Sequence, residues 1–163
     1  MSSPSLIQRL EALFELQLEA ATALEKLLRD ENEALIRREH KQIHEITGLK
    51  EAKTAELESL AKMQGELFRS IKLPFSAEVL DQVINESAGK SANKIRQVRD
   101  NLETVLQACQ AQNIINGRII AANRQSAEAA LAILRGQFSS NSLTYGAAGQ
   151  PVKEQSRSQI SKA

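Results

Sequence analysis

The sequence predicts an all-α protein, an elongated antiparallel helical hairpin with a long third helix packed along it in coiled-coil fashion, followed by a flexible C-terminal tail. Three observations predict it. Apolar residues recur at three- and four-residue steps through three long stretches, separated by short breaks. Aromatic residues are only 3% of the chain, with no Trp, whereas hydrophobic residues reach 42% and charged ones 25%. A core poor in rings but rich in Leu and Ala suits long helices joined through aliphatic seams. The seven Gly and three Pro fall mostly outside the periodic stretches. On this basis residues 1–138 form a single helical domain and residues 139–163 a tail.

The first helix is predicted over residues 5–37. Ser3-Pro4-Ser5 offers a capping hydroxyl and a Pro near the first turn. From there Ile7, Leu10, Phe14, Ala21, Leu24, Leu28 and Leu35 keep a heptad-like step, with Glu, Gln, Arg and Lys between them. The polar interval Arg37-Arg38-Glu39-His40-Lys41 contains no Gly or Pro, but its basic groups suit a helix C-terminus. A second helix is expected over residues 41–71, carrying Ile43, Ile46, Leu49, Leu57, Leu60, Leu67 and Ile71. Lys50 and Lys53 fall inside this stripe, where their stems can cover apolar surface while the amines reach out to water. Two helices of similar length joined by a short link should make an antiparallel hairpin of roughly 45 Å.

Leu73-Pro74-Phe75 ends the second helix, since Pro cannot continue it and restricts its predecessor. Ser76 is a fresh N-cap for a short helix over residues 77–87, with Val79, Leu80, Val83 and Ile84 on one face and Gly89 as its close.

The long third repeat, residues 93–138, organises the rest. It begins as an ordinary amphipathic helix, with Ile95, Val98, Leu102, Val105, Leu106 and Cys109. From Thr104 to Gly117 it carries no charge at all. Beyond that, apolar residues fall on two faces. One holds Ile120, Ala127, Leu131, Leu134 and Phe138; the other holds Ile115, Ile119, Ala122, Ala129 and Ile133, with Arg124, Glu128 and Arg135 between them. A bundle helix needs one apolar stripe. A helix with two can pack on its own protein and still offer a face to another. Of the two, the Ile115, Ile119, Ala122, Ala129 and Ile133 face is the expected partner-binding surface, and the other is expected to pack inward. The segment Leu143-Thr-Tyr-Gly-Ala-Ala-Gly-Gln150 follows, with the only Tyr of the chain, Tyr145.

Several chemistries find no footing. Net charge is +1, and by segment the balance is −2 over residues 1–75, +1 over 76–138 and +2 over 139–163, so no basic face points to nucleic acid. No apolar run approaches the length of a membrane span, and no secretory signal opens the chain, so a soluble cytoplasmic protein is expected. The single Cys fits a reducing compartment. His40 and His44 share a helix face, but Lys41 stands where a zinc protease places its Glu, and there is no third His. Cys109 lacks a His partner and reads as a small core residue. No catalytic, cofactor or metal site is expected. Asn113, Asn116 and Asn123, with Gln112, lie by the apolar seam, where they either fix helix register or bond a partner helix. Gly117 in mid-helix allows a close backbone approach or a bend, or is incidental.

Taken in order, LIQRLEALFELQLEAATALEKLLRDENEAL, HEITGLKEAKTAELESL, NIINGRIIAANRQSAEAALAILRG and LTYGAAGQ resemble the FlgN family of flagellar type III export chaperones. The first helix alone is unspecific; NGRII, ALAILRG and LTYGAAGQ carry the resemblance over nearly the whole chain. It implies a small cytosolic helical protein without enzymatic activity. Such proteins bind the C-terminal helical regions of hook-associated (hook–filament junction) proteins, prevent premature assembly and deliver them to the export gate. It implies, too, that Leu143 and Tyr145 dock on the gate's cytoplasmic platform, the other reading of Tyr145 being that it folds back onto the third helix near Phe138. A structural coiled-coil scaffold remains the alternative, and a homodimer through the spare face stays open.

Overall fold

The computed structural model describes residues 5–87 and 90–135, apart from the side chain of Lys90. Four helices follow one another among them: α1 (Leu6–Arg37), α2 (His40–Ser70), α3 (Ala77–Glu86) and α4 (Lys90–Leu134). The expected all-α fold is therefore observed, with boundaries within a few residues of those predicted. The contacts gather into two units, Met1–Asn123 and Arg124–Ala163. Expectations for Gly89, Phe138, Leu143 and Tyr145 lie outside the described residues.

Each helix end has a local cause. Ser5 and Gln8 form a reciprocal capping box: Ser5 Oγ accepts from the Gln8 amide at 3.3 Å, and Gln8 Oε1 accepts from the Ser5 amide at 2.9 Å. Ser76 Oγ accepts the Val79 amide at the start of α3. Helix α1 stops without glycine. Arg38 takes up left-handed backbone (φ 57°), its N–H bonds to Leu35 O, and the Glu39 N–H reaches Ala34 O at 3.0 Å. This is a Schellman motif built on arginine. Helix α2 ends the same way at Lys72 (φ 58°), with Lys72 N–H on Arg69 O and Leu73 N–H on Phe68 O.

The polar contacts fix the order of the helices within the first unit. Lys50 bonds Glu31 and Gln17 bonds Gln64, so α2 runs antiparallel to α1. Lys94 pairs with Glu11 and Glu15, Cys109 Sγ meets Ala21 O, and Asn116 reaches Leu28 O, so α4 runs parallel to α1. Arg99 pairs with Asp81 and Arg96 bonds Asn85, so α3 lies antiparallel to the start of α4. One core joins all four: Leu10, Leu13, Phe14, Ala20 and Ala21 of α1; Leu60, Leu67 and Phe68 of α2; Leu80 and Ile84 of α3; Ala92, Ile95 and Leu102 of α4. Phe68 is wholly buried. Burying such a side chain stabilises by about 1.5–3 kcal/mol, and these contacts, not helix propensity, hold chains of this length helical.

Candidate partner-binding face

Helix α4 changes its environment at Asn116. Up to that point one face is inside: Ala92, Ile95, Leu102 and Cys109 are buried. The Cys109 thiol meets Ala21 O at 3.5 Å, and burial, followed by the charge of Glu25, pushes its pKa above the ordinary thiol range. Cys109 is a core residue, as its apolar position suggested.

Asn116 is 1% exposed and every polar atom of its side chain is engaged. Its Nδ2 donates to Leu28 O and to Glu31 Oε2, both at 2.8 Å. Its Oδ1 accepts from Asn32 Nδ2 and Gln112 Nε2, both at 3.0 Å. Glu31 in turn takes Lys50 Nζ at 2.7 and 2.8 Å. This corrects the expectation for Lys50, whose amine turns inward to a buried carboxylate because the α1–α2 register sets Glu31 directly opposite it. Lys53, by contrast, pairs with Glu56 on its own helix. Of the four amides expected near the seam, Asn116 fixes register, Gln112 supports it, Asn123 is half-buried and Asn113 is exposed.

From Ile114 onward most apolar residues of the first unit come to the surface. Ile115 and Ile120 are about half exposed, Ala122 is exposed and Ile119 is half-buried. Ile114, which the two-stripe reading omitted, is exposed as well. At the register of Asn116 with residues 28–32, the end of α1 at Arg37 falls level with about residue 122, so α1 has little left to offer Ile120. In the second unit Ala127, Ala129, Leu131, Ile133 and Leu134 are all exposed, Ile133 at 63% and Leu134 at 82%. Arg124 pairs with Glu128 between them at 2.8 Å. The expectation that the Ile120, Ala127, Leu131 and Leu134 stripe packs inward is thus overturned for the described residues: both stripes face solvent. Leu24, expected in the core, is only half-buried. Gly117 meets nothing within 4 Å of where a Cβ would stand, so close backbone approach does not account for it.

Among the described residues no group of His, Cys, Asp or Glu could hold a metal ion, and His40 and His44 are exposed. No described helix is long and apolar enough to cross a membrane.

The model of the FlgN protein family matches residues 1–153. The chain belongs to the FlgN family. Among solved structures, it is similar to a crystal structure of a flagella synthesis protein FlgN of Pseudomonas aeruginosa, at 30% identity and a TM-score of 0.62, over 82% of this chain and 98% of that one. No curated protein matches it. The FlgN-family match covers the quoted motifs of α1, α2 and α4, and that relative is matched over nearly its whole length.

Proposed function

We propose that this FlgN-family protein acts in flagellar assembly as a cytoplasmic export chaperone. It binds the C-terminal helical regions of hook-associated proteins and delivers them to the type III export gate. The observation that carries the reading is the exposure of Ile115 and Ile120 in the first unit and of Leu131, Ile133 and Leu134 in the second. Exposed large apolar residues in such number on one element mark interaction surfaces. An amphipathic client helix can lay its apolar face on them in helix-on-groove fashion, and the small side chains of Ala122 and Ala129 let its backbone approach. Client segments that pack as helices in the assembled structure are apolar and unpaired before assembly, and covering them prevents premature association.

Ile115, Ile119, Ala122, Ala129 and Ile133 are the client contacts of this proposal, and Leu143 and Tyr145 the contacts to the gate's cytoplasmic platform. An aromatic anchor flanked by small residues can insert into a pocket without steric conflict. The test is titration of C-terminal fragments of hook-associated proteins onto the chain and its Ile115→Asp and Ile133→Asp variants. Both variants should lose client binding while circular dichroism stays unchanged; unchanged binding would refute the assignment. Tyr145→Ala should keep the client and lose the platform in pull-downs. The rival reading, a coiled-coil scaffold, would show as client-independent self-association in sedimentation, lost in the same isoleucine variants.

A further inference from the structure

A second apolar surface lies where α2 gives way to α3. The Schellman turn at Lys72 reverses the chain and brings Ile71, Leu73 and Phe75 to the surface, each more than a third exposed. Phe75 is held in place: its ring lies against that of the fully buried Phe68, centroids 5.0 Å apart and tilted by 57°. Gly65, Arg69, Lys72, Leu73, Pro74 and Phe75 line a cleft of about 430 Å³, within the range of roughly 300–1,000 Å³ common for ligand clefts. Gly65 leaves its floor open, with nothing within 4 Å of a would-be Cβ.

The rim carries two cations, Arg69 and Lys72. Lys26, Arg29, Lys50, Lys53, Lys94, Arg99 and Arg124 each hold a carboxylate. Arg69 and Lys72 hold none among the described residues, as Arg9, Arg38, Lys41, Lys62 and Arg118 also do not, but these two stand together on the rim of an apolar cleft, and Glu66, one turn before Arg69, does not pair with it. An apolar cleft flanked by two free cations is complementary to a segment that sets carboxylates around an aliphatic or aromatic side chain. The chain's own residues 139–163 do not meet that description, since they carry three basic groups and one acidic one.

We infer that this cleft docks an acidic, apolar-bearing segment of a second protein, distinct from whatever binds α4. The two sites are apart along the first unit. Gln64 lies level with Gln17, and the cleft lies beyond it toward the start of α1, whereas Asn116 lies level with residues 28–32. At 1.5 Å per residue that is roughly 25 Å of helix, enough for both partners to be held at once. The surface thus makes the chain a two-ended adaptor.

The test uses the full chain and a fluorescein-labelled peptide that alternates glutamate with leucine and phenylalanine, followed by fluorescence anisotropy. Saturable binding is expected, weakened by raising salt from about 50 to 300 mM as paired surface charges are screened. The double variant R69E/K72E should bind about tenfold more weakly, and Leu73→Ser should lose several-fold, with melting temperatures unchanged. Ile133→Asp should bind the peptide as the native chain does, which separates this site from the α4 proposal. Equal binding of the glutamine counterpart peptide, or indifference to the charge reversals, would overturn the inference. Capture by phosphatidylglycerol vesicles that competes with the peptide would reassign the cleft to a membrane surface. Self-association lost in R69E/K72E would reassign it to a second copy.

Discussion

Replacing Lys50 with Met tests whether the buried polar cluster is set by register as described. Glu31 is almost wholly enclosed, with 4% of its side chain exposed, and Lys50 supplies two of its three hydrogen bonds. Met keeps the stem and removes the ammonium, so the carboxylate is left with the single amide of Asn116. Breaking a buried pair by removing one partner costs about 3–5 kcal/mol. The remaining Asn116 bond puts the expectation at the lower end, about 3 kcal/mol. In a domain of this size that lowers the melting temperature by roughly 6–12 °C. Urea denaturation followed by far-UV circular dichroism reads the change directly. The double variant K50M/E31M removes both charges and leaves Asn116 its bond to Leu28 O, and it should recover to within about 1 kcal/mol of the native chain. A cost under about 0.5 kcal/mol for the single variant, or a double variant no better than the single, would show that Glu31 is not enclosed as described.

The other expectations concern α4. Gly117→Ala should stabilise by about 1 kcal/mol, because the helix gains propensity and the new methyl meets nothing; an unchanged urea midpoint would count against it. Leu102→Ala, at a buried core position, should cost about 2–5 kcal/mol, whereas Ile120→Asp should leave the melting temperature nearly unchanged. Cys109 should react with Ellman's reagent far more slowly in the native protein than in urea. Its pKa is raised in the folded state, so the folded protein holds the thiol proton more tightly, and that contribution is present below the ordinary thiol pKa of about 8.5 and is lost as pH climbs through the folded value. The urea midpoint should therefore fall on the alkaline side, and Cys109→Ala should remove that dependence.

The helices were legible because their apolar period is long and regular, and Ser5, Ser76 and Pro74 mark ends by chemistry that acts locally. The turns at Arg38 and Lys72 were harder, since both adopt left-handed backbone without the glycine that usually announces it. In the α1–α2 link only the density of basic residues hinted at a helix end. Lys50 was misread for a different reason. A lysine in an apolar stripe reads as a stem with its amine in water, and only the pairing of two helices brings Glu31 opposite it. Asn116 did signal itself, as an amide in an uncharged seam, but its four bonds depend on partners 84, 85 and 88 residues away as well as on its own helix. The two stripes of α4 were visible as a pattern; that Ile120 is left at the surface follows from where α1 ends, which no property of α4 itself reveals. For the partner contacts, the pattern named Ile115, Ile119, Ala122, Ala129 and Ile133, and the structure leaves four of them exposed and Ile119 half-buried. It passed over Ile114, which a two-face division of the helix had no place for.

The parallel register of α1 and α4 has a kinetic consequence. The α1–α2 hairpin closes from the turn at Arg38, where the Lys50–Glu31 pair spans 19 residues, and can zip outward by short steps. Docking α4 instead joins residues 84–88 positions apart, a closure whose entropy must be met before its contacts repay it. The hairpin should therefore form before α4 docks, placing Glu31 beside Lys50 ahead of the arrival of Asn116. Hydrogen exchange during refolding should register this as early protection in α1 and α2, with the first half of α4 following as one later step.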